Sequence, residues 1–345
     1  MKYFLSLTLL LFMVTGCKNA KEGTNISKTT IESDFTIAFG SCNKQWKYNP
    51  FWKEIQQNNP NVWIWGGDII YSDTDDMKVL EKNYNVQRNN PEYTDFRKNV
   101  EVIGTWDDHD YGLNDGGIEY SKKAESQQLF LDFIDVSKDD ERRKQEGVYA
   151  TKEYKIGKNS VKVIILDTRY FRTALTPDNE SKKRYKPSID KKNSMLGDTQ
   201  WNWLENELKT SKANFNIIVS SIQFLSAEHG FESWGTMPNE VKKLENLLMT
   251  TNAKNTIILS GDRHISEFSK KEVEGLSYPL IDFTASGLTH SYSSFSGEPN
   301  KYRVKNVVSV LNYGVLKFNF SANNVLMEIR GKDNVVLESY SQNYN

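Results

Sequence analysis

The stretch Gly66-Gly67-Asp68-Ile69-Ile70-Tyr71 sets a carboxylate and a phenol just after an apolar run, Val62-Trp63-Ile64-Trp65. The run reads as a buried strand. The paired glycines allow a tight turn at its end, and a carboxylate there stands where open α/β sheets hold their ligands. The pattern recurs along the chain. Cys42 and Asn43 follow Phe35 to Phe39, and Asp107-Asp108-His109-Asp110, with Asn114 beyond, follows Val100 to Trp106. Asp262 and His264 follow Thr256 to Leu259. Singly, each residue has an ordinary explanation: a capped turn or helix for the acids, a small hydrophobe for Cys42, packing for Tyr71 and His264. Jointly they predict a metal site, because strand ends lie side by side and packing does not require acids and histidines at each of them. A thiolate, a phenolate and an imidazole favour a transition metal such as ferric iron or zinc. Carboxylates with an Asn amide favour calcium, magnesium or manganese. The expectation is a mixed binuclear centre bridged by Asp68.

The elements that must position these groups follow from periodicity. Helices are expected over Phe51 to Gln57, Asp73 to Asn90, about Ile118 to Ile134, from Gly197 with Asp198 as N-cap, and over Pro238 to Met249. Strands are expected over Val148 to Ile156, Val161 to Leu166, Asn216 to Ser220, Leu280 to Ala285, Val304 to Leu311, Gly314 to Phe320 and Val325 to Arg330. Residues Thr173 to Ser194 are Lys-rich with prolines and read as a surface excursion. Strands alternating with helices, then strands alone, predict a layered α/β sandwich.

The 345 residues carry a formal net charge of -1, which gives no global pull toward nucleic acid, and no basic stripe or known nucleic-acid module accompanies it. Stable nucleic-acid binding is not expected. A basic start, an apolar run from Tyr3 to Met13 and Val14-Thr15-Gly16-Cys17 resemble a bacterial lipoprotein signal and its cleavage box. The expectation is a signal peptide over 1–16, lipidation at Cys17, a polar tether over 17–33 and a domain over 34–345. That places the protein in the bacterial cell envelope, lipid-anchored, periplasmic or surface-exposed. The chain has two cysteines, so acylation of Cys17 leaves Cys42 without a disulfide partner.

Six motifs in order carry a family resemblance. They are Phe39-Gly40-Ser41-Cys42, Gly66 to Tyr71, Thr105-Trp106-Asp107-Asp108-His109-Asp110, Leu166-Asp167-Thr168-Arg169, Gly197-Asp198-Thr199-Gln200-Trp201 and Ser260-Gly261-Asp262-Arg263-His264. The set resembles the alkaline phosphatase D family, the PhoD-like branch of the metallophosphoesterases. The resemblance implies a four-layer α/β/β/α sandwich with C-terminal strands completing the second sheet. It implies Fe(3+) on Cys42, Asp68, Tyr71 and His264, and Ca(2+) on Asp68, Asp262 and either Asp107 or Asp108, with Asp107 favoured and Asn114 a weaker candidate. Zn, Mn or Mg are the alternative ions. The implied reaction is hydrolysis of a small phosphate ester, monoester or diester, by metal-activated water attacking in line. A phospholipase-C-like or nucleotide phosphodiesterase is the alternative on the same site; a non-catalytic ligand-binding lipoprotein is disfavoured by the retained acids. His109 is a candidate proton donor, or else orients a carboxylate. Arg169 and Arg263 are candidate phosphate clamps, and Asn43 and Gln223 candidate substrate contacts. Trp46, Trp106 and Trp234 either wall the pocket or pack the core. The N-terminal β-domain that some relatives carry is not expected before the domain over 34–345.

Overall fold

The computed structural model describes residues 33–251 and 253–344. The expected signal segment, Cys17 and nearly all of the tether lie outside the described residues. In chain order the elements are β1 (Phe35–Gly40), α1 (Trp52–Gln56), β2 (Val62–Gly66), α2 (Met77–Arg88), α3 (Pro91–Phe96), β3 (Glu101–Thr105), α4 (Asp108–Tyr111) and α5 (Lys123–Phe133). Next come β4 (Ala150–Ile156), β5 (Asn159–Ile165), α6 (Gly197–Thr210), β6 (Phe215–Val219), α7 (Pro238–Thr251) and β7 (Thr256–Ser260). The chain finishes with β8 (Ser266–Lys271), β9 (Leu280–Ala285), β10 (Arg303–Val308), β11 (Tyr313–Asn319), β12 (Asn324–Arg330) and β13 (Val336–Asn343).

The strands form a six-stranded sheet, β13-β12-β11-β1-β2-β3, and a seven-stranded sheet, β10-β8-β9-β7-β6-β5-β4. The C-terminal strands do not all join one sheet: β10 edges the larger, and β11 to β13 complete the smaller beside β1. Within the sheets β1, β2 and β3 run parallel, as do β5, β6, β7 and β9. Their carboxyl ends carry the chemistry-bearing residues.

Side-chain alternation builds the layers. Ile37, Phe39 and Ile64 point between the sheets and meet Val163, Ile217, Val219, Ile257, Leu259 and Phe283. Trp63 and Trp65 point the other way, against Trp52, Tyr93 and Phe96 of the first helical layer. Ile164, Ile218 and Ile258 face Trp201, Leu204, Leu208, Leu244 and Leu248 of α6 and α7. Both faces of each central strand are therefore buried, which is why they read as continuous apolar runs. The result is the α/β/β/α sandwich.

Two local expectations change. Asn90 side-chain Oδ1 accepts from the N–H groups of Glu92 and Tyr93 and starts α3 at Pro91, so the expected helix over Asp73 to Asn90 is α2 followed by a separate turn of helix. Asp198 sits inside α6 and not at its cap; the Gly197 N–H is taken by Ser194 Oγ at 2.9 Å. The excursion after Arg172 lies on the surface as expected, largely exposed, and is tied down through Tyr185 N to Gly230 O at 2.9 Å and Ser188 N to Thr236 O at 2.8 Å.

Candidate metal centre

The loops after β1, β2, β3 and β7 converge. Cys42 Sγ lies 3.5 Å from Asp68 Oδ2. Tyr71 Oη donates to the same oxygen at 3.0 Å and lies 3.0 Å from His264 Nε2. Three sets of candidate ligand atoms each fall within 4.8 Å: Cys42, Asp68 and His264; Asp68, Asp108 and His109; Asp107, Asp108 and Asp262. Asp68 joins the thiol–imidazole side to the carboxylate side. Asp108 appears in two of the sets, and it faces the cavity, whereas Asp107 is wholly buried beneath it.

Backbone conformation is spent on this convergence. Cys42, Asp68, Asp262 and His264 have φ of 62°, 50°, 67° and 55°, a left-handed region that costs a non-glycine residue about 1–3 kcal/mol. Gly67, at φ 93°, lets the β2 loop lie on the β3 loop: a Cβ there would sit 2.4 Å from Asp107 Cβ. Asp110 then ties the two loops together. Its carboxylate accepts from the backbone N–H of Asp68 at 3.2 Å, Ile69 at 3.1 Å and Asp107 at 2.6 Å. Burial pushes the Asp110 carboxyl up to about 7, against the pull of the Asp107 and Ile69 amides.

Two buried carboxylate atoms, Asp68 Oδ1 and Asp107 Oδ2, have no hydrogen-bond partner among the protein atoms. Burial raises the carboxyls of Asp68, Asp107 and Asp262 well above the usual range, and their acidic neighbours raise them further. Burial likewise raises the Cys42 thiol and the Tyr71 phenol. Asp108 is lowered despite burial, by Arg169, His109 and the N–H groups of Asp115 and His109. Such a set is costly alone, and cations placed among these atoms remove the cost. The residues fit resident metal ions.

A cavity of about 380 Å3 opens over the cluster, lined by Asp108, His109, Asn114, Asp262 and His264, and beyond them by Arg184, Phe231, Arg263 and Tyr292. His109 stacks on Tyr71 at 4.1 Å, and its Nδ1 lies 2.8 Å from both oxygens of Asp73. Burial opposes protonation of His109, yet Asp68, Asp73 and Asp108 push it up to about 10. Arg263 lies over Phe231 at 4.2 Å and binds both Glu298 oxygens through Nη2, at 2.9 and 3.0 Å.

Other expected contacts point elsewhere. Arg169 is fully buried; its guanidinium donates through Nε to Asp107 Oδ1 at 2.7 Å and through Nη1 to Glu232 Oε2 at 2.5 Å. It is an internal ion pair beneath the site and not a phosphate clamp. Asn43 is a strut: Nδ2 donates to Ile69 O and Gln87 Oε1, and Oδ1 accepts from Asn49. Gln223 is buried against Glu267 and Thr284, both at 2.9 Å, away from the cavity lining. Trp106 and Trp234 are core, and Trp46 is exposed. Sequence reasoning missed Asp73, Glu232, the linking role of Asp110, and His290, whose Nε2 lies 3.2 Å from His264 Nε2.

A model of the PhoD-like phosphatase family matches residues 37–305. The chain belongs to the PhoD-like phosphatase family. Alkaline phosphatase D of Bacillus subtilis (strain 168) is 28% identical over 118 residues, which is 32% of this chain and 20% of that relative. The match therefore spans a small part of the curated relative's own length. The solved structure of PhoD superposes with a TM-score of 0.70 at 18% identity, covering 90% of this chain and 68% of that one. GAP50, described as the anchor in the inner membrane complex of Plasmodium, superposes with a TM-score of 0.57 at 13% identity, over 90% of this chain and 89% of that one. At these identities the two structures establish the shared fold of this PhoD-like chain.

One buried group near the cavity gives a stability prediction. His229 Nδ1 accepts from Phe231 N at 3.0 Å, and Nε2 donates to Ser226 O at 3.2 Å. Burial, then the Arg263 charge, lowers it to about 3. Its folded value lies below the unfolded one of about 6.5. Its contribution is thus complete above that pH and is lost as pH falls toward 3. Below pH 6.5 this group alone lowers unfolding free energy by about 1.4 kcal/mol per pH unit. Denaturant unfolding between pH 4.5 and 6.5 should show that slope reduced by one proton's worth in His229→Gln; equal slopes would refute the assignment.

Proposed function

We propose that the protein hydrolyses phosphate esters at a binuclear centre bridged by Asp68. The observation that supports this most is the shared carboxylate: Oδ2 reaches Cys42 and Tyr71, Oδ1 is buried without a partner, and Asp68 also groups with Asp108, which groups in turn with Asp107 and Asp262. Cys42, Tyr71, His264 and Asp68 suit ferric iron or zinc; Asp68, Asp108, Asp262 and Asn114, with Asp107 behind them, suit calcium, manganese or magnesium. When bound, such ions neutralise phosphate oxygens and make water acidic enough to serve as nucleophile.

The chain's own residues do the rest. Asp73 holds His109 by Nδ1, which leaves Nε2 as the atom free to carry a proton to a leaving group in the cavity that His109 lines. Arg263 lines the cavity and brings a guanidinium charge to the ester's anionic oxygens, held there by Glu298. Phe231 and Tyr292 give the cavity apolar walls against a leaving group. The proposal includes lipid anchoring through Cys17 at a bacterial cell envelope.

Elemental analysis of the purified protein, with a panel of chromogenic monoesters, diesters, nucleotide diesters and phospholipids, tests the reading. Metal content near two ions per chain with turnover of at least one ester class is expected. A chain loaded with metal that turns over none of these esters, or a metal-free chain that turns one over at the full rate, would overturn it.

Asp73→Asn gives a narrower prediction. The carboxylate favours the imidazolium, so its loss should lower kcat about tenfold or more and move the alkaline limb of the pH profile to lower pH. An unchanged profile would remove His109 from proton transfer.

A further inference from the structure

We infer that His290 is a further ligand to the ion held by Cys42, Asp68, Tyr71 and His264. The inference rests on the metal centre proposed above. His290 lies in the loop after β9, so a fifth strand end contributes to the site.

The first support is spacing. His290 Nε2 lies 3.2 Å from His264 Nε2, which lies 3.0 Å from Tyr71 Oη. Ligand atoms about 2.1 Å from one ion, at right-angled or tetrahedral positions, lie about 3.0–3.4 Å apart. The chain of separations from Asp68 through Tyr71 and His264 to His290 has that edge length throughout. Cys42, Asp68 and His264 offer ligand atoms within 4.8 Å of one another, and His290 adjoins that set through His264.

The second support is proton count. Without an ion, the phenol proton goes to Asp68 Oδ2, and imidazole protons hold the contacts among Tyr71 Oη, His264 Nε2 and His290 Nε2. Once Tyr71 Oη and His264 Nε2 bind a cation, neither has a proton to offer. A His290 Nε2 lone pair at this distance would then face only other lone pairs. Coordination to the same cation turns that repulsion into a bond.

The third support is how the ring is held. His290 Nδ1 lies 3.3 Å from Thr289 Oγ1. That hydroxyl accepts from Lys44 N at 2.7 Å and donates to Cys42 O at 3.3 Å. His290 is thus tied to the backbone that carries Cys42. A contact at Nδ1 leaves Nε2 as the coordinating atom, the usual way a ligand imidazole is oriented. Tyr71 meets the ring edge-on at 5.0 Å, which fixes its plane.

The probe is Co2+ alone, bound to the full chain. Visible absorption reads the ligand field, and transfer to a chelator reads retention; neither needs turnover. His290→Ala and His290→Gln should keep the wild-type circular dichroism, show a changed cobalt spectrum, and lose cobalt at least about tenfold faster. Added imidazole should restore the wild-type spectrum in His290→Ala. If the alanine variant misfolds, the glutamine variant carries the same readouts. Wild-type spectrum and retention in both variants would overturn the role of His290 while leaving the centre standing. A wild-type chain that binds no cobalt would overturn the centre, and this ligand with it.

Discussion

Asp68→Asn is expected to lower hydrolysis of a chromogenic phosphate diester by about a thousandfold or more, the loss of several kcal/mol of charge stabilisation. The amide keeps the size of the carboxylate, so the loop geometry set by Asp110 and Gly67 survives. What is lost is the charge shared between the thiol–imidazole side and the carboxylate side. Bound metal should fall in parallel, because both sets of ligands lose a common member. Asp110→Asn makes a useful contrast. That carboxylate touches backbone amides and no cavity atom, so its loss should loosen Asp68 and weaken metal retention while leaving measurable turnover. Activity of Asp68→Asn within a few-fold of wild type would refute the bridging role.

The second large effect is on stability. Arg169→Met removes the cation between Asp107 and Glu232, all three fully or almost fully buried. Breaking a buried pair from one side costs about 3–5 kcal/mol, because the other charge is stranded. Arg172 remains, with Nε 2.9 Å from Glu232 Oε1, and keeps one of the two acids partly compensated. Arg169→Lys should recover little, since an ammonium cannot reach both acids as the planar fork does. Adding Glu232→Gln to Arg169→Met should restore part of the loss. Denaturant unfolding is the check, and a single variant within about 0.5 kcal/mol of wild type would show that the pair is not structural.

The central strands were legible because both faces of each are buried, so Val62 to Trp65 and Thr256 to Leu259 appear as unbroken apolar runs. The strands β8 and β13 were not. In β8 the polar Glu267 is buried but satisfied by Arg303, Gln223 and Asn300, a tertiary fact with no local trace. In β13 the strand lies on a sheet edge, largely exposed, with mixed composition. The break before α3 was present in Asn90-Pro91, a cap followed by a first-turn proline, and was read through.

At the site, the acids, thiol and imidazole announced themselves by recurring after buried strands. Direction did not. Arg169, Asn43 and Gln223 have the right chemistry for phosphate, yet their loops turn them inward to Asp107 and Glu232, Ile69 and Gln87, and Glu267. Asp73 and Glu232 matter through partners more than thirty residues away, which spacing does not encode. His290 did carry a signal: it follows β9 as Cys42 follows β1.

The most direct test of the binuclear centre is a metal titration of chelator-stripped protein, followed by hydrolysis of a phosphate diester. The stripped chain should be inactive, and turnover should appear as the second equivalent of metal binds. A stripped, metal-free chain that hydrolyses the ester at the untreated rate would contradict the account.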